Sequence, residues 1–178
     1  SLTSCKGGFG NCNNNPADGC EVSLTTLSNC GGCGVTCNLA HGGETCQTGK
    51  CQLTTCDAGF ANCDLVPQTG CETNLNTSIT HCGACGVGCT NQHGTTTCEG
   101  GTCTPVCTAF FGNCDGNEKN GCETSLKAIS NCGACGNVCS YANGFAQCPS
   151  GTCQLTGCNT GFDNCDGAPA NGCETALN

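Results

Sequence analysis

Residues 120–139 read NGCETSLKAISNCGACGNVC and carry four cysteines, two of them in a CGAC. Three chemistries use such a motif: a redox couple, half of a thiolate metal knuckle, or a plain disulfide staple. The fold depends on which of them applies.

The rest of the chain bears on that choice. It has 178 residues with 27 Cys and 29 Gly, six Phe, one Tyr, and no Trp or Met. Cysteine at this density exceeds the roughly 8–10% that marks a disulfide scaffold. The scattered Leu, Ile and Val positions are too few for an ordinary core, so covalent links must replace burial, each bridge contributing about 2–4 kcal/mol. Bridges of this kind persist in oxidising compartments, which places the chain outside the cell or on its surface. Four Lys plus Arg against thirteen acids give a net charge of −9. That balance leaves no basic stripe for nucleic acid. No apolar run approaches the roughly 18 residues a membrane helix needs, so no membrane insertion is expected.

The 120–139 stretch belongs to a repeat of 51 residues. Repeat one (1–51) holds Cys5, Cys12, Cys20, Cys30, Cys33, Cys37, Cys46 and Cys51. Repeat two (52–103) holds Cys56, Cys63, Cys71, Cys82, Cys85, Cys89, Cys98 and Cys103. Repeat three (104–153) holds Cys107, Cys114, Cys122, Cys132, Cys135, Cys139, Cys148 and Cys153. A half repeat (154–178) ends the sequence with Cys158, Cys165 and Cys173. Repeat two carries one inserted residue between Leu75 and Ile79, offset by a shorter join from Cys103 to Cys107. A period of this length signals a solenoid or a string of modules. The expected fold is therefore a small, disulfide-rich, elongated tandem array with little regular secondary structure beyond short hairpins and single helical turns.

Apolar residues keep the register. Phe9, Phe60, Phe111 and Phe162 stand four residues after the first cysteine of each repeat, as natural apolar plugs. Leu24, Leu75, Leu126 and Leu177 follow in CEVSL, CETNL, CETSL and CETAL, with Leu27, Ile79 or Ile129 three or four residues on. That spacing predicts one helical turn ended by the glycine of NCG or HCG. TCQTGKCQL, TCEGGTCTP and QCPSGTCQL read as extended runs around a glycine turn, hence a hairpin in each repeat.

A thioredoxin-type pair lies at a helix start in a βαβ context and occurs once, whereas CGGC or CGAC occurs here three times without that context. Each repeat supplies only one knuckle toward a tetrathiolate site. Structural disulfides are the reading that remains, and eight cysteines per repeat leave 105 connectivities open.

The acids define a second candidate site. Asp64, Asp115 and Asp166 directly follow the second cysteine of their repeats, with Asn13 in that place in repeat one. Glu21, Glu72, Glu123 and Glu174 directly follow the third. Oxygen ligands around a glycine-containing loop suit Ca²⁺, so Asp64, Glu72, Asp115, Glu123, Asp166 and Glu174 are its candidate ligands. The competing reading has Asp and Asn closing turns through their own backbone and Glu capping the helical turn. Calcium apart, no cofactor is indicated.

Catalysis has little support. His41, His81 and His93 are read as lying in different registers, and no nucleophile or carboxylate recurs beside them. Neither an enzyme nor a small-molecule substrate is expected. Asn76-Thr77-Ser78 matches a glycosylation sequon, a match close to chance in a chain this rich in Ser, Thr and Asn.

The run GF-x-NCDG-x₄-NGCET-x-L followed by NCGACG-x₂-C resembles the cysteine-rich tandem repeats of secreted and cell-surface proteins of bacteria, myxobacteria especially. Repeat three and the half repeat fit best; repeat one departs at Asn13, Ala17 and Asp18, and repeat two at LVPQTGCE. The resemblance implies an extracellular, repetitive, structural role and carries over no catalytic residue.

SLTS at the start matches the joins QLTT and QLTG, and the half repeat keeps its Phe, Asp, Glu and Leu. Neither end reads as the polar cap of a free-standing solenoid. The expectation is a head-to-tail homopolymer, a subunit of a filament or surface fibre, with a calcium-dependent adhesion module as the alternative. An odd number of cysteines leaves one over after intrachain pairing, and Cys158, Cys165 and Cys173 are the candidates for a free or intersubunit sulfur.

Overall fold

In the computed structural model, which describes residues 4–177, every strand is short and every sheet is an antiparallel pair. Small pairs alternate with longer hairpins along the chain. Strand β1 (Phe9–Gly10) pairs with β2 (Val22–Ser23), and β3 (Gly42–Gln47) with β4 (Lys50–Cys56). Next come β5 (Phe60–Ala61) with β6 (Thr73–Asn74), and β7 (Gly94–Glu99) with β8 (Thr102–Cys107). The pattern continues with β9 (Phe111–Gly112) on β10 (Thr124–Ser125), β11 (Gly144–Gln147) on β12 (Gln154–Cys158), and β13 (Phe162–Asp163) on β14 (Thr175–Ala176). Two compact units, Ser1–Val87 and Gly88–Asn178, divide these elements, β1 to β6 in the first and β7 to β14 in the second. Among the described residues no helix is long and apolar enough to cross a membrane.

The long hairpins are the ones expected around the glycine turns. Thr48 and Gly49 have φ of 50° and 73°, and Gly100 and Gly101 have 58° and 80°. These are the mirror-image two-residue turns whose twist matches the flanking strands. Strand β4 carries both Cys51 and Cys56, and β8 both Cys103 and Cys107, so the cysteine period cuts through strands at these two joins.

Among the described residues no α-helix follows any Leu, and the expected turn forms only in repeat three, as the short 3₁₀ turn Ile129–Asn131. Among the described residues only two short 3₁₀ turns occur, at Ile129–Asn131 and Pro169–Asn171. Leu24 shows why: its N–H donates to Gly8 O at 2.7 Å and its carbonyl accepts from the Gly31 N–H at 2.9 Å. Leu126 makes the equivalent bonds with Phe110 and Gly133. A backbone already bonded to segments on either side has nothing left for an i→i+4 ladder, and one turn alone is too short to nucleate.

The apolar plugs are only partly covered. Phe9 is 45% exposed, Leu177 is 56% exposed, and Phe60, Phe111, Phe162, Leu24, Leu75 and Leu126 are only half-buried. Cystine occupies the interior instead: Cys71, Cys122 and Cys173 are fully buried, and Cys132 nearly so. A half-cystine is small and apolar and is fixed by its bond, so it fills a space too thin for an aromatic ring.

Consecutive repeats interlock within each unit. The hairpin of one repeat rests on the small pair of the next: Asp57 N–H donates to His41 O, Thr108 N–H to His93 O, and Asn159 N–H to Asn143 O. Cys71 and Cys173 N–H donate to the carbonyls of Ala40 and Ala142, and Cys122 N–H to Asn91 Oδ1. The glycine before each of these cysteines permits the approach. Gly70 and Gly172 have φ near the left-handed region (83° and 82°), and a Cβ on either would stand 2.4 or 2.5 Å from backbone atoms of Ala40 or Ala142.

Candidate functional site

The CGGC and CGAC loops decide the chemistry. Gly31, Gly34, Gly133 and Gly136 all have positive φ, which turns the two flanking cysteines away from each other. Cys30 bonds Cys46 while Cys33 bonds Cys12; Cys132 bonds Cys148 while Cys135 bonds Cys114. No CxxC closes on itself, since Cys85 bonds Cys63.

One rule covers the repeats. First and third cysteines pair in all four: Cys5–Cys20, Cys56–Cys71, Cys107–Cys122 and Cys158–Cys173. Second pairs with fifth, fourth with seventh in repeats one and three, and sixth with eighth as Cys37–Cys51, Cys89–Cys103 and Cys139–Cys153. Cys82 and Cys98, at the fourth and seventh positions of repeat two, are both disulfide-bonded. Of the three candidates for an unpaired sulfur, Cys158 and Cys173 therefore bridge each other, and Cys165 holds the one free thiol, exposed to solvent. Cys165 is a second-position cysteine, whose partner elsewhere is always the fifth. This density of bridges belongs to an oxidising, extracellular environment.

Bridges pack against bridges. The Sγ atoms of Cys30, Cys37 and Cys51 lie within 4.8 Å of one another, as do those of Cys132, Cys139 and Cys153. In the oxidised protein these sulfurs are spent on S–S bonds and supply no thiolate for a metal.

The acid loops are built around one carboxylate oxygen. Oε1 of Glu21, Glu72, Glu123 and Glu174 accepts the backbone N–H of the second cysteine of its repeat and that of the following residue. The cysteine bonds are 2.8 Å at Cys12, Cys63 and Cys114 and 3.0 Å at Cys165. Asp64, Asp115 and Asp166 each use Oδ1 to accept the N–H two residues on, at 2.8 Å, closing Asx turns. Their Oδ2 atoms accept from Thr69 Oγ1, Asn120 Nδ2 and Asn171 Nδ2.

Hydrogen bonding holds three of these carboxyls below their usual range. Glu72 is lowered chiefly by its own backbone N–H, then by Cys63, Thr73 and Asp64. The Thr124 hydroxyl does most for Glu123, ahead of the N–H groups of Glu123 and Cys114. For Asp166 the Ala168 N–H leads, followed by the Asn171 amide. Among the described residues the acids bring no three ligand atoms within 4.8 Å of each other. The six candidate calcium ligands thus lie in matching pairs, each oxygen set already accepting protein donors.

Two histidines share a register after all. His41 and His93 both stand four residues after the sixth cysteine, and both stack on the phenylalanine of the next repeat. His41 lies 3.7 Å from Phe60 and His93 3.8 Å from Phe111, ring centroid to centroid. Aligning the repeats on the sixth cysteine would have shown it. His81 takes the place of Asn29 and Asn131: its Nδ1 accepts from the Gly86 N–H at 2.9 Å, as their Oδ1 atoms accept from Gly34 and Gly136. A cavity of about 550 Å³ lined by Val35, Leu39, Lys50 and Gln68, among others, contains Lys50 as its one free titratable group and pairs no nucleophile with a base.

Comparison with protein-family models, curated proteins and solved structures returns no match to this chain.

Proposed function

We propose that the chain is an extracellular structural protein, a subunit of a disulfide-stabilised filament or surface fibre whose copies join head to tail. The observation that carries this reading is the joint between repeats. The hairpin of one repeat meets the small strand pair of the next, as His41 on Phe60 and His93 on Phe111, so each contact joins two different faces. Contacts between unlike faces of equivalent units extend without closing unless a rotation brings them round. The cystine interior and the internally bonded loop carboxylates suit a material whose task is to persist. The resemblance to repeats of bacterial secreted and cell-surface proteins supports the same role.

Sedimentation and electron microscopy of the oxidised protein test the proposal. Large species that survive detergent are expected; a monodisperse 17.6 kDa particle at high concentration would overturn it.

A further inference from the structure

Gly8, Gly59 and Gly161 occupy one register, three residues after the first cysteine, and all have φ between 83° and 89°. Repeat three places Phe110 there, at φ 67°, a conformation that a bulky side chain seldom adopts. The ring has a seat. Its Cδ1 and Cε1 lie 3.3 and 3.4 Å from a Cβ built on Gly151, and Lys127 Nζ stands 4.4 Å from the ring centroid.

The same seat in repeat one is open. A cavity of about 260 Å³ there is lined by Gly8, Leu24, Thr25, Gly31, Thr48 and Gly49. Their counterparts in repeat three are Phe110, Leu126, Lys127, Gly133, Ser150 and Gly151. The repeat-one cavity is therefore the Phe110 site without its phenylalanine. It exceeds the roughly 150 Å³ that suffices for a benzene ring in an apolar protein cavity. Its floor is two glycine backbones in contact, since a Cβ on Gly31 would stand 2.2 Å from Gly49 O. In repeat two, Asn76 Nδ2 stands 2.2 Å from a Cβ built on Gly59 and covers the equivalent position.

The chain also carries a ring with no seat. Phe145 on β11 is 59% exposed, more than any other exposed phenylalanine of the described residues, and replaces Gly43 and Thr95 of the earlier repeats. We propose that the Gly8 cavity of one copy receives the Phe145 ring of a second copy. A projecting apolar group and a complementary pocket at different places on one molecule make a heterologous contact that propagates. The inference rests on the filament reading and names its contact.

Sedimentation velocity on the oxidised, full-length protein tests it with two variants. Phe145→Ala keeps the pocket and loses the ring. Gly8→Phe keeps the ring and fills the pocket as repeat three does; a Cβ at Gly8 meets only Thr25 Cγ2, at 3.7 Å. Each variant alone is expected to lose the assembled species, and an equimolar mixture to form pairs and stop. Thr25→Trp, at a position with negative φ, closes the same pocket should Gly8→Phe mispair its disulfides. Wild-type protein that assembles together with Phe145→Ala and the pocket-closing variants overturns this contact and leaves the filament reading standing. A wild-type protein that stays monomeric overturns both.

Discussion

Gly133 and Gly151 meet backbone to backbone: a Cβ on Gly133 would stand 2.3 Å from the Gly151 carbonyl oxygen. The CGAC loop thus sits directly on the hairpin turn, and that approach lets Cys132 reach Cys148 and Cys139 reach Cys153. Gly133→Ala adds a left-handed penalty of about 1–2 kcal/mol to a clash with an atom that cannot rotate away, typically about 1–3 kcal/mol. Gly136 supplies the control, because it has φ 72° and nothing within 4 Å of its Cβ position. Oxidative refolding should give native bridges in good yield for Gly136→Ala and poor yield for Gly133→Ala. Equal yields would show that the contact is unimportant.

Acid should loosen the clamped loops first. The carboxyls of Glu72, Glu123 and Asp166 are depressed in the folded chain, so their contribution is complete above the ordinary values of 4.5 for Glu and 3.8 for Asp. It is lost as pH falls through the lowered folded values. Amide exchange at Cys63, Asp64, Cys114, Asp115 and Ala168, corrected for intrinsic rate, is expected to accelerate there while the hairpin amides stay protected by their bridges.

The bridge rule predicts a simple mass map. Under denaturing, non-reducing conditions iodoacetamide should label one thiol per chain, at Cys165. Peptides should link as first to third, second to fifth, fourth to seventh and sixth to eighth. Any species joining Cys30 to Cys33 or Cys132 to Cys135 would contradict the divergent loops.

His81→Asn should leave repeat two unchanged, since Asn29 and Asn131 accept the same bond. His81→Ala removes the acceptor for the Gly86 N–H and should cost about 0.5–1.5 kcal/mol. Exchange at Gly86 reads the difference directly.

Chelation should do little. Because the loop carboxylates accept protein N–H, hydroxyl and amide donors, thermal melts with and without EDTA are expected to superimpose in the absence of reductant. A large downward shift would favour the calcium-dependent adhesion module.

The repeats show which features were legible. TCQTGKCQL predicts its hairpin because a glycine between two short extended runs settles the turn locally. The Leu24 segment misleads, and the Leu126 segment yields only a short 3₁₀ turn, because the spacing of two apolar side chains says nothing of where the backbone between them bonds. The phenylalanines mislead for a similar reason: hydrophobicity ranks them as plugs, yet Phe60 and Phe111 stay half-buried, stacked on His41 and His93, while the buried apolar positions go to cystine. His41 and His93 were readable, but only by aligning repeats on their sixth cysteine.

By itself the sequence determined the period, the covalent character of the interior and the oxidising setting, all of which follow from how many cysteines there are and how they recur. Tertiary structure alone decided which sulfur meets which. Spacing along the chain leaves 105 pairings per repeat, and the choice falls to positive-φ glycines and glycine-on-glycine contacts that aim each side chain in space.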